Sequence, residues 1–355
     1  MSRLPLVRAG DWQTPSLGYG AMGLTEVYGD IAPDVAAATL NHVVDQGVTM
    51  IDTADVYGFG ANEELVAASL EGRRHEVEIA TKFGIVTDGS DYSTMSVRND
   101  PDYVVRACEA SLRRLRTDVI DLYYLHRRDP RVPIEDVVGA MAGLVEAGKV
   151  RRIGLSEVTS EEIDVAASIH PISAIQSEWS LWSRDVERRV VPAAVAHDVG
   201  FVAYAPLSRG FLTGALTDRS DVEGDWRSNL DRFATVAFDT NRRLVEEVAA
   251  LARDIGATPA QVALAWLRQR GSEMGVAVIA IPGTRRTDRV DENIGSLAIE
   301  LPERTMERLG GLAERVIGRR SDHANPDWVS ETREARSDDP GAPSSAASGT
   351  GGEGR

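Results

Sequence analysis

Between residues 17 and 300, short runs rich in β-branched residues alternate with longer stretches of helical period, and this alternation restricts the fold more than any other feature of the chain. The strand candidates are SLGYGAM, TMIDTAD, VEIATKF, VIDLYYLH, RRIGLSE, ISAIQSEW, FVAYAPL and VAVIAIPG, eight in all. Helix signals separate them. APDVAAATLNHVVDQG starts near a proline and stops at Gly47, and DPDYVVRACEASLRRLR opens with an Asp cap and Pro101. PIEDVVGAMAGLVEAGKV carries acids early and Lys149 late, in keeping with the helix dipole. TPAQVALAWLRQRG has Thr258 as cap, Pro259 at the first helical position and Gly271 after its end. Eight strand-helix units predict an α/β fold closed as a (β/α)8 TIM barrel, for which about 250 residues is typical.

The competing architecture is a doubly wound open sheet. GYGAMG, Gly18 to Gly23, satisfies the dinucleotide pattern G-x-G-x-x-G, which needs a helix opening at its third glycine to receive a pyrophosphate. Here LTEVYGDIAP follows, placing Gly29 and Pro33 before any helical run, so the glycines read as a glycine-rich strand end.

The barrel domain is expected to occupy residues 1–318, followed by a C-terminal segment, 319–333, of unassigned structure and a disordered tail, 334–355. The tail is rich in Gly, Ser, Ala and Pro and has almost no large apolar residue, so burial cannot offset its ordering entropy. No stretch approaches the roughly 18 continuous apolar residues of a membrane span, and the N-terminus lacks a signal-peptide pattern, which points to a cytoplasmic protein. A formal net charge of -16 opposes nucleic-acid and anionic-membrane partners, so a phosphorylated ligand requires a local basic pocket. Cys108 is the single cysteine, and its neighbours Val104, Val105 and Leu112 place it on the apolar face of a helix. No metal site is expected.

In a parallel barrel the chemistry gathers at the C-terminal strand ends. Asp52, Lys82 and His126 occupy three such ends, and Tyr57 lies in the glycine-flanked loop DVYGFG after the first. Singly, each has a structural explanation as a turn, core or loop residue; together they converge on one mouth. Their types are complementary. A phenol has an unperturbed pKa of about 10, and an adjacent ammonium is expected to lower it. Such a phenol is suited to protonate a carbonyl oxygen as hydride reaches its carbon. Asp52 holds the ammonium charged, and a neutral His126 donates a hydrogen bond to the substrate oxygen. Lys82 is one of only two lysines among 39 basic residues, and a guanidinium is too wide to touch one phenol oxygen and one carboxylate in the same confined space.

At GVTMIDTADVYGFGANEELVAASL, EIATKFG, VIDLYYLHRRDPRVPIEDVVGAM, EAGKVRRIGLSE, YAPLSRGFLTG and IPGTRRTDRVDEN the chain resembles the aldo-keto reductases, in particular the monomeric microbial branch that includes pyridoxal and aldehyde reductases. The resemblance implies a (β/α)8 barrel, NADPH/NADP+ as cofactor, a small-molecule carbonyl substrate and a monomer or weak homo-oligomer. It also implies Asp52, Tyr57, Lys82 and His126 as a catalytic tetrad. By the same resemblance Ser156 and Gln176 contact the carboxamide, Tyr204 stacks on the nicotinamide, and Pro206, Leu207, Ser208 and Gly210 follow the pyrophosphate. Ala21 and Met22 lie against the cofactor, Gly283, Thr284, Arg285 and Arg289 belong to the cofactor-binding set, and Glu292 and Asn293 reach the adenine. Physically, Arg285, Arg286 and Arg289 at a helix start in an acidic chain favour a phosphate.

Two positions depart from the pattern. Glu157 stands where many relatives carry Asn beside the serine, and the segment after about residue 317 lacks a recognisable family ending. Two alternatives remain beside reduction: a nucleotide-bound regulatory or redox-sensing protein on the same fold, and a lyase using Lys82 as a Schiff-base amine, which needs that amine neutral.

Overall fold

All eight candidate runs become strands of one sheet in the computed structural model, which describes residues 4–25, 28–29, 31–89, 92–320 and 325–337. In chain order they are β1 (Tyr19–Gly20), β2 (Met50–Asp52), β3 (Glu78–Phe83), β4 (Ile120–Leu125), β5 (Val150–Ser156), β6 (Ala174–Glu178), β7 (Gly200–Tyr204) and β8 (Val278–Ala280). Each pairs in parallel with the next. A parallel bridge from Leu17 to Ala280 joins the two ends of the sheet, with the Gly18 amide donating to the Ala280 carbonyl at 2.8 Å. The sheet is therefore a barrel and not an open doubly wound layer.

The glycines of GYGAMG serve that closure. A methyl group on Gly20 would stand 2.8 Å from the Ile281 carbonyl oxygen, and one on Gly283 would stand 2.6 Å from the Gly20 carbonyl oxygen. Only bare backbone fits between the first and last strands. No helix opens at Gly23: Ala21–Leu24 is a single 3-10 turn, and the first α-helix starts at Pro33.

The outer layer comprises α1 (Pro33–Asp45), α2 (Ala61–Ser69), α3 (Pro101–Arg114), α4 (Ile134–Glu146), α5 (Ser160–Ile169), α6 (Val190–Ala196), α7 (Thr235–Asp254), α8 (Pro259–Glu273), α9 (Thr287–Gly295) and α10 (Glu303–Gly310). The expected caps are present: Asp100 accepts the Tyr103 amide at 3.1 Å, and Thr258 and Gln261 form a reciprocal capping box. Cys108 is buried on α3. Two expected helix-end signals differ. Gly271 lies inside α8, where a side chain would collide with Val278, so packing and not helix termination explains it. Lys149 lies beyond the end of α4 and pairs with Glu109 of α3, satisfying a carboxylate rather than the helix dipole.

A hairpin of Leu6–Ala9 and Trp12–Pro15 seals the N-terminal end of the barrel. Buried Trp12 packs among the inward residues Met50, Ala80, Leu122, Tyr124, Ala174, Val202 and Ile279, while its indole N–H donates to Glu78 at 3.1 Å. With the floor filled, the accessible chemistry is confined to the opposite rim. At the C-terminus, a turn at Pro326–Trp328 leads into α11 (Ser330–Ser337), which runs four residues past the boundary expected at 333; the rest of the expected tail lies outside the described residues. Among the described residues no helix is long and apolar enough to cross a membrane.

The interior leaves no room at Gly154 of β5, where an added methyl would run into the Tyr124 ring and lie 2.9 Å from the Ala174 carbonyl oxygen. Gly154→Ala is expected to destabilise the protein by about 1–3 kcal/mol through overpacking, measured by urea unfolding; a midpoint equal to the parent would contradict this packing.

Candidate active site

Three strand ends and one loop deliver the reactive groups to the open rim. Lys82, on β3, points into the barrel with no exposed surface, because inward and outward positions alternate along a strand. Its Nζ donates to Asp52 Oδ1 at 2.5 Å and to the Thr53 carbonyl at 2.7 Å. The other Asp52 oxygen accepts from Gln176 Nε2 at 2.8 Å. The ammonium also lies 5.2 Å from the centroid of the Tyr57 ring. Tyr57 begins a 3-10 turn, Tyr57–Gly60, in which Gly58, Phe59 and Gly60 all take left-handed backbone, and this tight reversal brings the ring back over the strand ends. His126 follows β4, its amide donating to the Phe83 carbonyl at 2.7 Å, and its ring meets Tyr57 edge-on at 5.9 Å.

Burial decides several protonation states here. It works against the Lys82 ammonium, but Asp52 first and Tyr57 next hold the group above the ordinary lysine value, so it stays charged. That charge removes the neutral amine on which Schiff-base chemistry depends. Burial also pushes the Asp52 carboxyl upward, opposed by Lys82 and Gln176. Tyr57 departs from expectation: burial raises it above the ordinary phenol value despite the opposing ammonium, so the group remains a protonated donor. Burial, then Arg127 and Lys82, drive His126 well below the usual histidine value, which makes it neutral. Its Nδ1 has no hydrogen-bond partner among the described residues.

The residues expected around the nucleotide line the same rim. Ser156 ends β5 and Gln176 lies on β6. Tyr204 ends β7 and gives its hydroxyl to Glu157 at 2.9 Å. Pro206, Leu207, Ser208 and Gly210 form the next loop, where Ala205, Ser208 and Arg209 also adopt left-handed backbone. Ala21 and Met22 lie in the turn after β1. Beyond β8, the Thr284 carbonyl accepts the Tyr19 hydroxyl at 2.5 Å. Arg285 donates to the carbonyls of Gly23, Thr25 and Gly29, bracing the turn after β1. Arg286 pairs with Asp288, and Arg289 with Glu292, one turn apart on α9; Asn293 is buried on the same helix.

The Thr53 carbonyl and Arg127 complete the constellation without having been singled out in the sequence. Arg127 Nη1 donates to the His126 carbonyl at 2.8 Å and to Ser156 Oγ at 3.2 Å, and its guanidinium lies 6.0 Å from the centroid of the Tyr204 ring. The doublet His126-Arg127 is the only local signal for it.

A closed parallel barrel with lysine, aspartate, tyrosine and neutral histidine meeting at its C-terminal rim defines a class of barrel proteins equipped for proton donation to an oxygen. Comparison with known proteins gives that class its family: the Aldo/keto reductase family model matches residues 16–314, and the chain belongs to that family. A protein named probable aldo-keto reductase 1 of Glycine max is 42% identical over 301 residues, covering 84% of this chain and 85% of its own. The aldo-keto reductase yakc, NADP(+), of Schizosaccharomyces pombe is 40% identical over 325 residues, covering 89% and 94%. Among solved structures, the glycerol dehydrogenase of Gluconobacter oxydans superposes with a TM-score of 0.79 at 28% identity over 88% of this chain and 96% of that one. An aldo-keto reductase from Klebsiella pneumoniae in complex with NADPH gives 0.67 at 28% identity over the same shares.

A depressed histidine and a raised tyrosine leave neutral His126 and protonated Tyr57 together across the intervening pH range. The kcat/KM for carbonyl reduction should be flat from about pH 6 to about pH 9 and fall only on the alkaline side, as Tyr57 loses its proton. An acid limb centred on the ordinary histidine value of 6.5 that vanishes in His126→Asn would contradict the assignment.

Proposed function

We propose that the protein is an NADPH-dependent reductase of aldehydes or ketones, an oxidoreductase acting on the CH-OH group of the product alcohol, with Tyr57 as general acid. The observation that carries this reading is the single buried ammonium, bonded to Asp52 and 5.2 Å from the centroid of the Tyr57 ring.

The donor set suits a nicotinamide nucleotide. Arg286 and Arg289 stand at the start of α9, whose first turn has no side-chain cap, in a chain of net charge -16. They would receive the 2'-phosphate together with Thr284, with Arg285 holding the adjoining turn. Ser156 and Gln176 would hold the carboxamide, Tyr204 would support the ring, and Pro206, Leu207, Ser208, Gly210, Ala21, Met22, Gly283, Glu292 and Asn293 would follow the remainder of the nucleotide. When bound, the nucleotide supplies the hydride.

The chain's own residues handle the oxygen. His126 donates a hydrogen bond that orients the carbonyl, and Tyr57 delivers its proton to that oxygen. The phenolate left behind is stabilised by Lys82, which Asp52 and the Thr53 carbonyl keep in place. On this reading the working form is a cytoplasmic monomer or weak homo-oligomer acting on a small molecule.

Tyr57→Phe should lower kcat for aldehyde reduction by on the order of 10²–10⁴-fold and leave the NADPH dissociation constant nearly unchanged, since only the proton donor is deleted. Turnover at the parent rate would remove Tyr57 from the mechanism, and tight nucleotide binding without turnover in the parent would favour a sensing role. Arg289→Ala should weaken NADPH roughly tenfold while sparing NADH, because only the former carries the 2'-phosphate. Equal losses for both nucleotides would sink the phosphate assignment.

A further inference from the structure

The first turn of α2 buries two polar side chains in succession, Asn62 and Glu63, neither with any exposed surface. Asparagine is a weak helix former whose usual place is a cap, where its oxygen accepts helix amides. Here the cap position is Gly60 and no side chain caps the helix, so Asn62 does not serve α2 itself. Its Oδ1 accepts the Thr53 hydroxyl at 2.6 Å, and its Nδ2 donates to the Ala21 carbonyl at 2.9 Å. The Thr25 hydroxyl oxygen lies at the limit of reach, 3.5 Å from the same Nδ2.

Both partners lead to the candidate site. The Thr53 carbonyl receives Lys82 Nζ at 2.7 Å. Ala21 opens the turn after β1, whose carbonyls at Gly23 and Thr25 accept Arg285. One buried amide therefore bonds at once to the residue that braces the ammonium and to the turn proposed above to lie against the nucleotide. Glu63 adds to the grip: Oε1 accepts the hydroxyl of Thr81, the residue before Lys82, at 2.6 Å, and Oε2 accepts Arg114 Nε from α3 at 2.6 Å. The Tyr57–Gly60 turn comes directly before α2, so the helix start that follows Tyr57 is pinned to the ends of β1, β2 and β3. The chemistry of the position requires an amide. The Thr53 hydroxyl needs an acceptor and the Ala21 carbonyl needs a donor; asparagine has both, an ionised aspartate only acceptors, and a leucine of similar shape neither.

We propose that Asn62 is a positioning residue for proton transfer: by holding Thr53 and Ala21 together it keeps the Thr53 carbonyl on the Lys82 ammonium and Tyr57 in register with the nucleotide edge. This rests on the reductase reading. With no exposed surface, Asn62 acts through Thr53 on Lys82, and through Lys82 on the phenolate that forms at Tyr57.

The test uses the full chain with NADPH and butanal, together with nucleotide titration followed by fluorescence. Thr53→Val keeps the shape and deletes the hydroxyl. Its kcat should fall about tenfold, and the alkaline limb of kcat/KM should move up by about one pH unit, because a less well held ammonium stabilises the phenolate less. Its NADPH dissociation constant should match the parent, since the bond from Asn62 to Ala21 remains. Thr53→Ser, which restores the hydroxyl, should recover kcat and return the limb. Asn62→Leu should show the same kinetic losses and also weaken NADPH about tenfold. An alkaline limb that stays in place in folded Thr53→Val, or Thr53→Ser no better than Thr53→Val, overturns the positioning role, and should Asn62→Leu fail to fold, the Thr53 pair decides it. Parental NADPH affinity in folded Asn62→Leu overturns the link to the nucleotide edge. Absence of turnover with every aldehyde in the parent would instead defeat the reductase reading, and the nucleotide affinity of Asn62→Leu would then decide that link alone.

Discussion

A lysine ammonium with no exposed surface has to be enclosed by oxygen atoms, and satisfying Lys82 organises the rim of this barrel. Asp52 and the Thr53 carbonyl meet it from β2 and the residue after it, and the Tyr57 ring lies 5.2 Å from it on the following turn. Gln176 then occupies the second oxygen of Asp52 from β6, across the barrel. Loss of the ammonium would leave a buried carboxylate without its counter-charge, so the geometry of the site and the stability of the strand ends are served by one interaction.

A second set of buried charges stands behind the rim. Glu178 is fully buried and pairs with Arg209 at 2.8 Å and Arg232 at 3.3 Å, while Arg320 reaches both Glu157 and Asp185. Burial works to protonate Glu157 and Glu178, and the neighbouring arginines more than reverse it, leaving both below ordinary carboxylate behaviour. Arginine suits these positions because its planar fork satisfies two acceptors at once. The basic residues thus divide by role, with forked cations in the scaffold and a compact one where a phenol and a carboxylate must share a single charge.

The barrel was legible because most strands are short runs with β-branched residues and helices such as α3 and α8 open on their own side-chain cap, signals that are complete within a few residues. The convergence of Asp52, Tyr57, Lys82 and His126 was legible for the same reason: strand ends share a rim once the fold is known. The hairpin under the floor was not, because its two strands are only four residues each and are stabilised by Trp12 reaching Glu78, distant in sequence. Nor was α11, a short polar helix whose anchors are Glu157 and Glu162. The direction of the Tyr57 shift also escaped local reasoning, since it depends on how much water the folded pocket excludes. The departure at Glu157 was visible as a letter, but its meaning required the distant partners Arg320 and Ser330.

The near-absence of lysine has a practical outcome. Lys82 has no exposed surface, so reagents that seek primary amines on lysine find Lys149, which is more than a third exposed. Lys149 immediately precedes β5, whose far end carries Ser156. Tethering the protein to a bead or electrode through that side chain would leave the mouth facing the solution, so immobilisation and catalysis would occupy opposite poles of the molecule.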